Sequence, residues 1–543
     1  MNYFFRSLSF LIVALSAPFY INFLAPLAAA CGYGIFWASL ERAPLKKRFF
    51  LGTIWQFGIQ LIHLKWLATT TYNGPLMIVV YLVVSAILGV FFGVLSMCIS
   101  PRLRGVYLLG FAGLGMLLEY LRWIPLSGFS WNPAGLFLSA YSIGAQMAAL
   151  GGILFLSFWV YLTNAAFVQG YLTKGRSIKA FRPWLILAVI PYIFGILNLQ
   201  VGQVKGSSSK APYLSVLTVQ PCIAPPVKGA HPVGYTIIKN PIDNWRQIFR
   251  LIAAEVSNPE VDLIALPEAA FVFEANELIL PKEAVSRLFY TYFHRSLDLP
   301  NTSLVTHNDV LKAVSIALKL PILTGHIDAL SNQRDISSLA AFFQPDAARA
   351  YYAKRRLFPV AEYMPFEWCR KIGADFGIYD AFSPGTKPEI FLSENTLKNF
   401  PNIPFPKLGP MVCYEETFPN HASEAIDLGA DLLVGLTNDA WYPESGLEEM
   451  HLAHARVRAI ESGVPFLRVC NTGISAAIDA SGNLIDVIHA KGPSAAVLRV
   501  PLAKAPALYG FMKDRAPLIL ALLVILLSLA RFIREKRSRF VLA

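Results

Sequence analysis

The chain is short of charge. Only 15% of its 543 residues are Asp, Glu, Lys or Arg, while 55% are hydrophobic; soluble domains carry about 25% charged residues. That balance excludes an ordinary soluble protein and points to a membrane protein. Cysteine is also scarce, six in all, with no CxxC pair and no zinc-finger spacing, which excludes a disulfide-framed scaffold and a structural zinc site. Acidic residues number 35 against 47 basic ones, for a net charge of +12. Such an excess could serve nucleic acid, so the positions of the basic residues have to decide.

Apolar runs long enough to span a bilayer, about 20 residues each, are plentiful. Ser7 to Leu40 carries no charge at all, which is too long for one helix, and two spans meeting near Pro18–Pro26 fit it. Further spans are expected at about 49–68, 74–100, 105–123, 142–172, 183–200 and 516–533, making eight. Because the apolar run continues to residue 40, the first 20 residues read as a retained anchor and not as a cleaved leader. Alternate connections hold the basic residues: Arg42, Lys46, Lys47 and Arg48; Arg102 and Arg104; Lys174, Arg176, Lys179 and Arg182; and Arg534, Lys536, Arg537 and Arg539 after the last span. Basic loops mark the cytoplasmic side. Both termini are therefore expected in the cytoplasm, and the charge is topology signal and not a nucleic-acid surface. Within the spans, Glu119 and Arg122 share a helix face at i, i+3, and an ion pair at the membrane edge is the expected use of two such costly residues.

The polar stretch 203–510 falls between the seventh and eighth spans and is expected on the far side of the membrane from the cytoplasm. The implied domains are 1–202, 203–510 and 511–543. Short apolar runs alternate there with helix-like stretches, as in an α/β domain with buried sheets. Strands are expected at 214–220, 261–268, 320–327, 349–355, 408–415, 431–439 and 465–471, and a hairpin at 476–488 turning on Ser481-Gly482. Helices are expected at 244–256 and 448–462, and 275–310 reads as an irregular insertion. His451 and His454 lack a third partner for a metal and read as a solvated or packed helix face.

Three strand ends carry chemistry: "LIALPEAAF" delivers Glu268, "YYAKRRLFP" Lys354 and "PMVCYEE" Cys413. Strand ends are where α/β proteins build sites. A carboxylate can take the proton that a thiol must lose to become a nucleophile, and a fixed ammonium can stabilise the oxyanion of an attacked carbonyl.

Glu, Lys and Cys in that order resemble the nitrilase superfamily. The flanking motifs "LPEAAF", "YAKRRLFPVAEYMPF", "VCYEETFP", "LTNDAWYPESG" and "GFSWNPAGL" are similar to those of the apolipoprotein N-acyltransferase family of bacterial inner membranes. The resemblance spans the whole chain. It implies an α-β-β-α sandwich joined to about eight transmembrane helices. It also implies Glu268 as general base, Lys354 as oxyanion cation and Cys413 as nucleophile, supported by Glu362, Tyr414 and Glu415. The implied reaction passes an acyl chain from phospholipid to Cys413 as a thioester, then to the N-terminal amine of an S-diacylglyceryl-cysteine on an apolipoprotein. No cofactor, metal or nucleic acid is implied, and a monomer in the bacterial inner membrane with a periplasmic catalytic domain is. Two segments depart from the family pattern: "QPCI" at 220–223 and "PVAE" at 359–362, which bear on loop flexibility and lipid selectivity. A disulfide among Cys222, Cys369 and Cys470 stays open. A membrane-tethered amidase with the same triad is the alternative enzyme, and a lipid-binding scaffold with a vestigial domain is the alternative outside catalysis.

Overall fold

The computed structural model describes residues 2–16, 20–72, 74–100, 103–173, 178–206, 212–225, 231–329, 336–375, 382–489 and 491–541. Pro18, Arg102, Lys174 and Arg176, used above for spans and topology, lie outside them. The chain divides into two compact units, Met1–Ala68 with Pro75–Val204 and Pro506–Ala543, and Thr69–Gly74 with Lys205–Ala505.

The first unit is helical. Leu76–Met97, Ala148–Leu172, Ile178–Gln200 and Arg515–Ser538 are long and apolar enough to cross a membrane; at 1.5 Å per residue the first runs about 33 Å. Tyr3–Leu15, Asn22–Ala38 and Val106–Leu121 are apolar but shorter. Leu45–His63 opens on Lys46, Lys47 and Arg48. The long helix Ala148–Leu172 kinks at Gly151–Gly152, whose backbone is not helical.

The Glu119–Arg122 ion pair expected from their spacing is not formed: no nitrogen–oxygen approach within 4.0 Å joins them. The Glu119 carboxylate instead accepts from the Tyr161 hydroxyl at 2.9 Å and the Ala134 amide at 2.8 Å. Those bonds turn it from Arg122. Both side chains line a cavity of about 40 Å³ with Tyr33, Gln56, Gln60 and Asn132.

The second unit is a four-layer α-β-β-α sandwich. One sheet has six strands in the order Ser494–Pro501, Tyr213–Gln220, Leu263–Ala265, Ile322–Ala329, Ile336–Phe343 and Ala350–Ala353. The other has five, in the order Leu408–Val412, Leu432–Thr437, Phe466–Cys470, Ser475–Ile478 and Leu484–Ile488. Strand side chains alternate between faces, and here both faces are buried. Leu214, Val216, Leu263 and Phe342 of the first sheet meet Leu408, Val434, Leu436 and Val469 of the second in the central layer. Leu217, Val219, Ile264 and Phe343 pack outward on Trp245, Phe249, Phe289 and Val310 of the first helical layer. Met411, Leu433, Phe466 and Ala476 pack on Ala422, Leu452 and Ala455 of the second. Burial on both faces is why these strands read as unbroken apolar runs.

Three local expectations change. The segment 275–310 is no irregular insertion: it holds the short pair Leu280–Pro281 and Leu304–Val305 and the helix Lys282–Phe293, with Val285 and Phe289 in the core. Strands Ile336–Phe343 and Ser494–Pro501 were not expected. The active strands stop short of their chemical residues, at Ala265, Ala353 and Val412, so those residues stand on the turns that follow.

Candidate active site

Glu268, Lys354 and Cys413 come together. Lys354 is fully buried, and its ammonium donates to Glu268 Oε1 at 3.0 Å and Glu362 Oε1 at 2.5 Å. The other Glu362 oxygen accepts from the Phe358 amide at 2.8 Å, so the turn after the lysine strand is tied to the lysine's own partner. The Cys413 thiol lies close enough for the charges of Glu268 and Lys354 to act on it. Burial pushes the Glu268 carboxyl up against the lowering pull of Lys354, with Glu362 raising it further. Burial also holds the Cys413 thiol well above its usual range, reinforced by the Glu268 charge and opposed by Lys354. Lys354 goes well above the usual amine range: burial opposes its charge, but Glu268, Glu362 and Cys413 outweigh it. The resting site therefore holds an ammonium between two carboxylates, beside a thiol that its surroundings keep neutral.

Cys413 opens a helical turn, Cys413–Thr417, with a backbone φ of +50°. A non-glycine residue there costs about 1–3 kcal/mol and persists only where neighbours impose it. Glu415 is one of them. Fully buried, it accepts from the amides of Val412 at 2.9 Å, Arg355 at 2.7 Å and Arg356 at 3.2 Å, and from the Tyr352 hydroxyl at 2.8 Å. One carboxylate thus ties the strand that ends at the cysteine to the one that ends at the lysine. Tyr414 is buried, its ring edge-on to Phe358 at 4.9 Å and to Phe418 at 5.0 Å. Its ring packs the turn. Phe358 also meets Tyr442 at 6.2 Å. Phe366 and Trp368 are exposed, 45% and 57%, and stack on each other at 5.9 Å. All six cysteines are free thiols, so the disulfide left open above is not formed.

Sequence reasoning missed a second buried cluster. Glu416, Asp439, His451 and Arg468 are all at most 4% exposed and interlock behind the Cys413 turn. The signal was an arginine inside the apolar strand "PFLRVCN" and a second glutamate after the cysteine; neither names its partner.

A thiol, a carboxylate and a buried ammonium gathered at the strand ends of an α-β-β-α sandwich are the groups that a thiol-dependent acyl-transferring or hydrolysing domain uses. Residues 233–498 match the carbon-nitrogen hydrolase family model, and residues 8–166 match the apolipoprotein N-acyltransferase N-terminal domain. The apolipoprotein N-acyltransferase of Chlamydia pneumoniae is 28% identical over 537 residues, covering 95% of this chain and 94% of its own. That of Chlamydia trachomatis is 27% identical, covering 98% and 97%, and that of Haemophilus ducreyi 26%, covering 96% and 95%. The chain belongs to the apolipoprotein N-acyltransferase family.

Proposed function

We propose that the protein transfers an acyl chain from a phospholipid to the N-terminal amine of an S-diacylglyceryl-cysteine on an apolipoprotein. The observation that carries this reading is the Lys354 ammonium clamped between Glu268 and Glu362 beside Cys413. Glu268 takes the thiol proton as Cys413 Sγ attacks the phospholipid ester carbonyl, and the Lys354 ammonium stabilises the oxyanion. Collapse expels lysophospholipid, which leaves with the proton from Glu268, and the acyl chain stays on sulfur as a thioester. The lipoprotein α-amine then attacks, Glu268 takes its proton, and the amide leaves as the thiol is restored. Glu362 holds Lys354, and Glu415 and Tyr414 hold the turn. Splitting the transfer in two avoids assembling three lipid-bearing groups at once.

The finer topology belongs to the same reading: eight spans, with 1–202 carrying seven, 203–510 on the periplasmic face of the bacterial inner membrane, and 511–543 returning as a single helix with a basic cytoplasmic tail. The enzyme acts as a monomer without a cofactor. The exposed Phe366–Trp368 pair suits a lipid interface, where aromatic rings are favoured. The experiment is intact-mass spectrometry after incubation with phospholipid, wild type beside Cys413→Ala. An acyl-sized gain on wild type alone, released by hydroxylamine and by a diacylated lipopeptide, is the expected result. Lysophospholipid without N-acylated peptide would favour the amidase-type hydrolase, and no adduct on folded wild type would sink the covalent route.

A further inference from the structure

Two consecutive glutamates in the Cys413 turn reach in opposite directions. Glu415 bonds toward the lysine strand, at the Arg355 and Arg356 amides. Glu416, equally buried, reaches into the second sheet. Its Oε2 accepts from Arg468 Nε at 3.1 Å, and its Oε1 accepts from the Thr437 hydroxyl at 2.6 Å. Arg468 is fully buried too, and each of its guanidinium nitrogens has an acceptor: Nη2 donates to Asp439 Oδ2 and Nη1 to the Ile474 carbonyl, both at 2.9 Å. His451, 1% exposed on the helix Leu447–Ser462, packs behind the same turn, with Nε2 3.1 Å from the Cys413 carbonyl oxygen.

The backbone leaves room for the Glu416 carboxylate. Gly435 lies opposite Arg468 in the parallel pair of Leu432–Thr437 with Phe466–Cys470. A Cβ on Gly435 would overlap Glu416 Oε1 and lie 2.7 Å from Glu416 Cδ. The strand is bare where the glutamate crosses it. A buried ion pair is weak evidence for stability, since apolar side chains of similar volume often serve as well. Hydrogen bonds between charged groups are directional, and about twice as strong as neutral ones. What this pair supplies is direction, and the turn needs it: Cys413 sits at φ +50°, which persists only where neighbours impose it.

We propose that Glu416, locked by Arg468 over Gly435, is a positioning residue for the nucleophile. Glu415 ties the turn to the first sheet and Glu416 ties it to the second, and the two together set where the sulfur stands relative to Glu268 and Lys354. The proposal rests on Cys413 being the nucleophile.

The test is Gly435→Ala in the full chain in detergent micelles, because it keeps every charged group and displaces the Glu416 carboxylate. Single-turnover acyl-enzyme formation from added phospholipid, read by intact mass, is set beside alkylation of Cys413 by iodoacetamide without phospholipid, read by peptide mass. The small reagent follows the sulfur wherever it stands. The maximal acylation rate should fall by about tenfold to a hundredfold, as misplacement of a reacting group gives, while the half-saturating phospholipid concentration and the alkylation rate stay within about twofold of wild type. Glu416→Ala should lose as much. Adding Gly435→Ala to it should cost little more, because the methyl has nothing left to displace. Alkylation falling in step with acylation would show an altered thiol and overturn the proposal. So would wild-type acylation in both single variants, or losses that multiply in the double one. Should Gly435→Ala fail to fold, Glu416→Gln decides: its amide oxygen still accepts from Arg468, so it should recover most of the rate lost in Glu416→Ala, and equal losses overturn the proposal. No adduct on wild type refutes the nucleophile reading itself, and the proposal falls with it.

Discussion

Lys354→Met separates what the buried lysine does for the fold from what it does for the chemistry. The ammonium is fully buried, 3.0 Å from one carboxylate and 2.5 Å from another. At an effective dielectric of about 20, one opposite charge at 3 Å contributes roughly 5 kcal/mol, much of it offset by desolvating the ammonium. Methionine fills similar space without charge, so Glu268 and Glu362 are left buried against each other. Removing one partner of a buried pair costs about 3–5 kcal/mol, and with two stranded carboxylates the upper end is expected. Loss of the oxyanion donor should slow acylation by about 10²–10³. Adding Glu362→Gln removes one stranded charge. The double variant should recover about half the lost stability while acylation stays lost, because the cation is still missing. The pH sign follows. Without Lys354, Glu268 rises further above its unfolded value of about 4.3, so the folded state binds a proton that the unfolded state gives up. The variant's deficit is then smallest below that value and grows as pH rises through the folded one. Denaturant unfolding followed by tryptophan fluorescence reads the stability, and intact mass reads the adduct. Acylation of Lys354→Met at the wild-type rate, or a double variant less stable than the single, would refute the reasoning.

The base is tested by pH. Because burial raises Glu268 above the usual carboxylate range, the acylation rate of wild type should climb with pH through that raised value; Glu268→Gln should lose the step and most of the rate, checked by single-turnover adduct formation. Gly325→Ala tests how closely the first sheet cradles the base, since a Cβ there would sit 2.5 Å from Glu268 Cα and 2.7 Å from the Pro267 carbonyl. Backbone cannot swing aside, so a cost of about 1–3 kcal/mol is expected, with acylation falling by more than the stability loss alone explains.

Glu268, Lys354 and Cys413 were legible because each interrupts an apolar run where a buried strand ends, and the order of the three is itself a pattern. The cluster behind them was not. Its four members come from different elements, and their meeting depends on sheet register: Arg468 lies opposite Gly435 across the parallel pair, and nothing local announces that. Glu119 and Arg122 show the reverse failure. Spacing put them on one face, but Tyr161 and the Ala134 amide, both distant in sequence, took the carboxylate. The missed strand Ile336–Phe343, "ISSLAAFF", reads as small residues followed by apolar ones with no alternation, because both its faces are covered. Ser494–Pro501 sits at a sheet edge, where the part-exposed positions blur the period.

The charge arrangement bears on why this site should transfer rather than hydrolyse. In the free enzyme, burial and the Glu268, Glu362 and Asp439 charges oppose a thiolate at Cys413, and the Lys354 ammonium favours it. The thiol therefore rests neutral, and on the proposed mechanism it gives up its proton to Glu268 as attack proceeds. Once the sulfur carries an acyl group it has no charge for those carboxylates to oppose. The environment that makes the thiolate costly is indifferent to the thioester. An amine needs only one proton removed as it attacks, and Glu268, just relieved of the first proton by the departing lysophospholipid, is again the nearest base. An acyl-enzyme that waits on an amine is what a two-substrate transferase requires.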